Sequence, residues 1–224
     1  MVTAMKSAKM KLIIFDCDGT LVDGQHMILD SMRHASLACG VDYPGDEPVR
    51  RIVGLTLLRA IEDVFPDLHI DQHMSLKDAF IERFQQLRAE DHEEPLFEDV
   101  RETLEHLNDD GYLLGVATGK SRRGLVNTLK NHDLEKYFIT LNTADDGPGK
   151  PHPAMLQNAM RDAGADPEET VMVGDTTYDI QMAKAARVQS IGVSWGYHPE
   201  KELAQAGADH IIDRILHLPA TLKR

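Results

Sequence analysis

The stretch KLIIFDCDGTLVDG, Lys11 to Gly24, runs an unbroken apolar segment straight into two aspartates, Asp16 and Asp18, followed at once by Gly19 and Thr20. Continuous rather than alternating hydrophobicity marks a strand covered on both faces, so LIIF reads as a central strand of a parallel sheet. Two like charges one residue apart are costly there, because burial and mutual repulsion both disfavour ionised carboxylates. A cation or a reaction has to use them.

Outward from that segment, YLLGVAT (112–118), YFITLNT (137–143), TVMVGD (170–175) and QSIGVSW (189–195) read as further strands, and HIID (210–213) as a weaker one. Helical patterns fill the intervals at 98–111, 121–134, 153–164, 177–187 and 199–207. Gly111, Gly164 and Gly207 close three of these, where a left-handed residue ends a helix. Regular alternation of strand and helix predicts an α/β fold, a parallel sheet with helices on both faces.

From Gly24 to Phe97 the alternation stops. Helical patterns at 25–40, 47–54, 56–65 and 71–92 are separated there by Pro and Gly turns. The reading is a core domain of residues 1–23 and 97–224, with a smaller helical domain, residues 24–96, inserted after the first strand. The joins at 22–25 and 92–97 are the expected hinges.

Bulk properties narrow the function. A formal charge of -13 over 224 residues argues against a nucleic-acid or anionic-membrane surface, since a polyanion would be repelled. Two cysteines, Cys17 and Cys39, cannot make a disulfide framework or a four-cysteine zinc site. No apolar run reaches signal-peptide or membrane-spanning length, so a cytoplasmic monomer or homodimer is the default expectation. The 11 histidines are scattered without metal-ligand spacing and read as ordinary surface or helix residues.

In an open parallel sheet, ligands bind beyond the carboxyl ends of the strands. Asp16 and Asp18 follow the first strand, Thr118 and Gly119 the second, and Asp175 and Asp179 the fourth, with Lys150 in GPGKPHP just before it. Several carboxylates on one rim make a hard-oxygen site suited to Mg2+, which keeps other positions for water and phosphate. A phosphate drawn there needs its remaining oxygens neutralised by a hydroxyl, free N–H groups and an ammonium. Thr118, the Gly119-Lys120 turn into a helix and Lys150 supply those groups. An aspartate can attack phosphorus to form an aspartyl phosphate, and a second acid two residues on can move the protons.

DCDGT, VATGKS, GKPHP and GDTTYD, in that order, resemble the motif series of the haloacid dehalogenase superfamily in its phosphatase branch. The resemblance implies a Rossmann-like core with a small α-helical cap and a small phosphorylated metabolite as substrate, phosphoglycolate being the leading expectation. By position it implies that Asp16 is the nucleophile and a Mg2+ ligand. Asp18 is then the general acid/base, offering its backbone carbonyl to the metal, while Thr118, Gly119 and Lys150 bind the phosphoryl group. Asp175 ligates Mg2+, and Asp179 supports the metal waters or Lys150. RIVGLTLLRAI, Arg51 to Ile61, occupies the place of the cap specificity loop, with Arg51, Gly54 and Thr56 as candidates. The family often has Ser where this chain has Gly24, at the hinge.

Other readings stay beside this one. A sugar-phosphate mutase or a pyrophosphatase would use the same core, and a catalytically silent binding module would not need all four motifs. A dehalogenase does not require Asp18. A phosphonate-cleaving relative uses an early cap lysine, whereas between Gly24 and Phe97 the single lysine is Lys77, in the last cap helix. The plainer reading of Thr118 is a helix cap, a role compatible with phosphate binding, that of Asp175 is a cap for the following helix, and that of Asp179 a solvated face residue. Alternation along the strand turns Cys17 away from both aspartates, into the core. Arg50, Arg51 and Arg59 either meet a substrate anion or face solvent from an amphipathic helix.

Overall fold

A computed structural model describes residues 11–90 and 94–223. Six strands form one parallel sheet: β1 Leu12–Phe15, β2 Leu113–Ala117, β3 Phe138–Asn142, β4 Thr170–Gly174, β5 Gln189–Val193 and β6 His210–Ile212. Their order is β3-β2-β1-β4-β5-β6, which makes β1 the strand where the chain reverses its direction of winding. The expected strands are all present, with their polar carboxyl-terminal residues outside the ladder. Asp16, Thr118 and Asp175 therefore emerge as loop residues on one rim.

β1 shows why an apolar run without alternation was needed. Ile13 and Phe15 join the core on one face of the sheet, and Leu12 and Ile14 the core on the other, all fully buried. Cys17 follows Ile13 and Phe15 into the first of these cores.

The covering helices are α5 Val100–Asp109, α6 Arg122–Asn131, α7 Ala154–Ala163, α8 Thr177–Ala186, α9 Glu200–Ala206 and the short α10 Leu218–Thr221. Gly164 and Gly207 end α7 and α9 in left-handed conformations. α6 is capped by Ser121 and α8 by Thr176, so neither Thr118 nor Asp175 is the cap residue.

Between β1 and α5 lie α1 Gln25–Ala38, α2 Asp46–Arg51, α3 Leu57–Val64 and α4 Ile70–Ala89. They enclose a hydrophobic cluster of their own, built on Met32, Ile61, Leu76 and Phe80 among others. Buried His73 shares a hydrogen bond with the Phe65 carbonyl at 2.8 Å, as an ordinary core histidine does. Several helices stop short of the patterns: α1 ends at Ala38, α2 at Arg51, α4 at Ala89, α5 at Asp109 and α6 at Asn131. After Arg51 the chain turns through Ile52 to Thr56, with Gly54 at φ 98, a conformation that ends helical propagation. The expected extension of α4 to residue 92, and the start of the 92–97 join, lie outside the described residues.

Candidate active site

β1 pairs with β2 through Phe15 and Val116 and with β4 through Phe15 and Val173, which sets the residues just beyond those strands side by side. Asp16 is fully buried. One carboxylate oxygen accepts from the Cys17 N–H at 2.6 Å and the other lies 2.7 Å from Lys150 Nζ. The same ammonium reaches Asp179 Oδ1 at 2.6 Å, while Asp179 Oδ2 accepts from the Thr176 amide at 3.0 Å and hydroxyl at 2.7 Å.

Asp175 is held from both sides. Thr20 Oγ1 donates to Oδ1 at 2.8 Å and the Tyr197 amide to Oδ2 at 2.9 Å. The chain passes so close that a Cβ on Gly19 would stand 2.3 Å from Asp175 Oδ2, and one on Gly196 would stand 2.2 Å from the Asp175 Cβ. At Gly19 φ is +79 as well, so glycine is required there for conformation and for space.

Among the described residues, Asp16, Asp175 and Asp179 form a group of buried carboxylates whose oxygens can lie within 4.8 Å of one another. Lys150 supplies one positive charge to three potential negative ones. The imbalance registers in the acidities. Burial pushes Asp16 up to about 7, with Asp179 adding repulsion and Lys150 opposing. Burial and the charges of Asp16 and Asp179 drive Asp175 well above the usual carboxylate range. For Lys150, burial disfavours the ammonium, but Asp16 and Asp179 outweigh it and raise its pKa. An all-oxygen donor set with excess negative charge fits a divalent cation.

Asp18 turns elsewhere. Its carboxylate sits 2.8 Å from Lys120 Nζ, and Lys120 also pairs with Glu94 Oε1 at 2.5 Å. The second oxygen of Glu94 takes Arg88, from α4, at 2.5 Å and the Thr128 hydroxyl, from α6, at 2.9 Å. Burial raises the Asp18 pKa against the pull of Lys120. Burial opposes ionisation of Glu94 too, yet Lys120 and Arg88 hold it down at about 2. Gly24 abuts this chain of charges: a Cβ there would lie 3.0 Å from both Asp18 Oδ1 and Glu94 Oε1. The departure from serine thus falls beside the acid/base candidate.

Thr118 is buried, its amide bonded to the Asn142 carbonyl at 2.9 Å and its hydroxyl accepting from the Lys120 amide at 3.3 Å. Gly119 packs beneath the 52–56 loop so closely that a Cβ would be 2.3 Å from the Leu55 carbonyl oxygen. Gly54 lies against Thr176, and Thr56 against Gly149. Arg51 does not line the cavity between helices α1, α3 and α4 and the rim of the sheet. Its guanidinium pairs with Glu202 at 2.5 Å, and its carbonyl is held by Tyr178 Oη and His198 Nε2, both at 3.1 Å. Arg50 is bonded to Gln25 and Arg59 to Asp63.

Sequence reasoning singled out neither Lys120 as a partner of Asp18 nor Glu94, Thr20 or Tyr197. Lys120 stood inside the quoted VATGKS motif and could have been found. Tyr197 acts through its backbone N–H, which its identity does not advertise.

Buried carboxylates and a lysine thus stand on the carboxyl rim of a parallel sheet, with helices α1 to α4 between β1 and α5, an arrangement suited to a hydrolase built on an α/β fold. The model of the haloacid dehalogenase-like hydrolase family matches residues 13–193, and the chain belongs to that family. It is 32% identical over 224 residues to pyrophosphatase PpaX of Bacillus pumilus, covering 96% of this chain and 98% of that one. It is 35% identical over 207 residues to the probable phosphatase IndB of Dickeya dadantii, covering 90% and 89%. The crystal structure of a predicted phosphoglycolate phosphatase from Haemophilus somnus superposes with a TM-score of 0.86 at 25% identity, covering 96% and 99%. Among the described residues no helix is long and apolar enough to cross a membrane.

Proposed function

We propose that the protein is a Mg2+-dependent phosphatase that hydrolyses a small phosphorylated metabolite through an aspartyl phosphate on Asp16. The observation that carries this is the buried Asp16 carboxylate at the end of β1, flanked by Lys150 and by the Asp175 and Asp179 carboxylates. Asp16 and Asp175, with the Asp18 backbone carbonyl, would hold the ion, and Asp179 stands beside them. Bound Mg2+ supplies positive charge that keeps Asp16 ionised and offsets charge on the phosphoryl oxygens.

In the first step an Asp16 oxygen forms a bond to phosphorus as the bond to the leaving oxygen breaks. Asp18 gives that oxygen its proton. In the second step Asp18 takes a proton from water, the water oxygen bonds to phosphorus and the Asp16–phosphorus bond breaks, which releases inorganic phosphate. The raised pKa of Asp18 suits a residue that must arrive protonated. Thr118, the Gly119 turn and Lys150 bind the phosphoryl oxygens, and a lysine already held by two carboxylates is pre-positioned for that task. In the 52–56 loop, Leu55 and then Gly54 approach Gly119 most closely and Thr56 approaches Gly149, next to Lys150.

The motif resemblance favours phosphoglycolate, as does the likeness to the Haemophilus somnus protein, whereas the Bacillus pumilus relative is named for pyrophosphate. All these substrates use the same steps at Asp16. Asp16→Asn should abolish turnover of p-nitrophenyl phosphate while the circular dichroism spectrum stays unchanged. Turnover retained by a folded variant would rule the assignment out.

A further inference from the structure

A cavity of about 860 Å³ lies between helices α1, α3 and α4 and the rim of the sheet. It reaches Asp18 and Gly119. Ile28 of α1, Ile52 and Leu55 of the 52–56 loop, and Phe80 and Phe84 of α4 form much of its wall. The two phenylalanine rings stack with centroids 5.9 Å apart.

If Asp18 protonates the leaving oxygen, the leaving group departs on the side of Asp18, into this space. Two of its four cations are already neutralised. Arg88 and Lys120 are matched to Glu94 and Asp18, and their charged ends lie over the Phe84 ring at 5.1 and 5.5 Å. Lys77 and Arg123 also border the cavity, leaving room for an acidic substituent at its edge. A volume of this size, lined mainly by apolar and aromatic side chains, belongs to sites that enclose a drug-sized organic molecule. Phosphate or glycolate as leaving group would present no apolar surface to that wall, and only the polar edge around Lys77 and Arg123 would replace its hydration.

We infer that the natural substrate is a phosphate monoester whose alcohol carries an apolar body of about ring size, rather than pyrophosphate or a two-carbon hydroxy acid. This rests on the phosphatase reading above, keeps its chemistry and replaces phosphoglycolate, the substrate that resemblance favours, with a different substrate class.

The test compares kcat/KM for benzyl phosphate, ethyl phosphate, phosphoglycolate and pyrophosphate at saturating Mg2+. Benzyl and ethyl phosphate both release alcohols, so their ratio reports the cavity more than the chemistry. Benzyl phosphate should lead ethyl phosphate and phosphoglycolate by on the order of tenfold or more. Ile81→Glu, on a wall residue already 37% exposed and therefore tolerant of charge, should shrink the benzyl-to-ethyl ratio. Equal rates, an unchanged ratio in that variant, or a lead for pyrophosphate or phosphoglycolate would overturn the inference. Failure of the phosphatase reading looks different: no ester is turned over, or Asp16→Asn leaves all rates intact.

Discussion

Lys150 holds its ammonium 2.7 Å from Asp16 and 2.6 Å from Asp179, so one buried cation joins the end of β1 to the start of α8. Lys150→Met leaves those carboxylates facing Asp175 without a counter-charge. At about pH 8 without metal, breaking such a buried pair should cost about 3–5 kcal/mol, read by urea unfolding. Turnover with Mg2+ should fall roughly a hundred- to a thousandfold, because a positioned phosphate-binding charge is lost. A variant with near-native kcat would remove Lys150 from the phosphate site.

The carboxylate group predicts how stability varies with pH. Burial, aided by Asp179 and opposed by Lys150, raises Asp16 from its ordinary 3.8 to about 7. The metal-free native protein then binds more protons than the unfolded chain across that window. The stabilisation is complete below the unfolded pKa and is lost as pH rises through the folded one. Asp175, raised well above its ordinary value by burial, acts in the same direction. In EDTA the urea midpoint should fall between about pH 5 and pH 8, and Mg2+ should restore it at the upper end. Asp16→Asn should flatten the decline. A midpoint that rises over the same interval contradicts the charge imbalance.

Lys120 bridges Asp18 to Glu94, and Glu94 carries the connection to Arg88 on α4. Lys120→Met should let the Asp18 carboxyl wander from the leaving oxygen. General acid help matters most when the departing alkoxide is basic. The loss in kcat/KM should therefore be about tenfold or more for ethyl phosphate and distinctly smaller for p-nitrophenyl phosphate. Equal losses on both esters would reduce Lys120 to a structural lysine.

Arg51, a candidate for substrate contact from its place in the sequence, is engaged by Glu202 in α9. Both side chains are about one-third exposed, so solvent screens the pair and its contribution is within about 1 kcal/mol. Tyr178 and His198 grip the Arg51 carbonyl, which truncation leaves in place. Arg51→Ala should accordingly change kcat/KM by only a few fold and thermal stability slightly. A loss of about a hundredfold would put its guanidinium on the substrate after all.

The middle of the sheet was legible because β1, β2 and β4 are short apolar runs followed by a polar residue, and burial on both faces leaves no other use for LIIF or TVMVG. The meeting of Asp16, Lys150 and Asp175 was legible for a related reason, since parallel strands deliver their ends to one rim. Glu94 was not. It stands in the acidic run of AEDHEEP, and its pairing depends on where the chain re-enters the core beside α6. Nor was the Arg51–Glu202 pair, whose members lie 151 residues apart on amphipathic helices with many charged alternatives. Asp18 illustrates the limit well: its position followed from the spacing, but its partner Lys120 followed only from the fold.

Everything proposed for the site turns on Asp16 becoming phosphorylated during turnover. Acid-quenched protein, taken during steady turnover of p-nitrophenyl phosphate with Mg2+ and analysed by peptide mass spectrometry, tests it directly. The peptide containing Asp16 should carry the added mass of one phosphoryl group, absent in Asp16→Asn. A phosphorylated peptide elsewhere in the chain, or the same adduct persisting in Asp16→Asn, would contradict it.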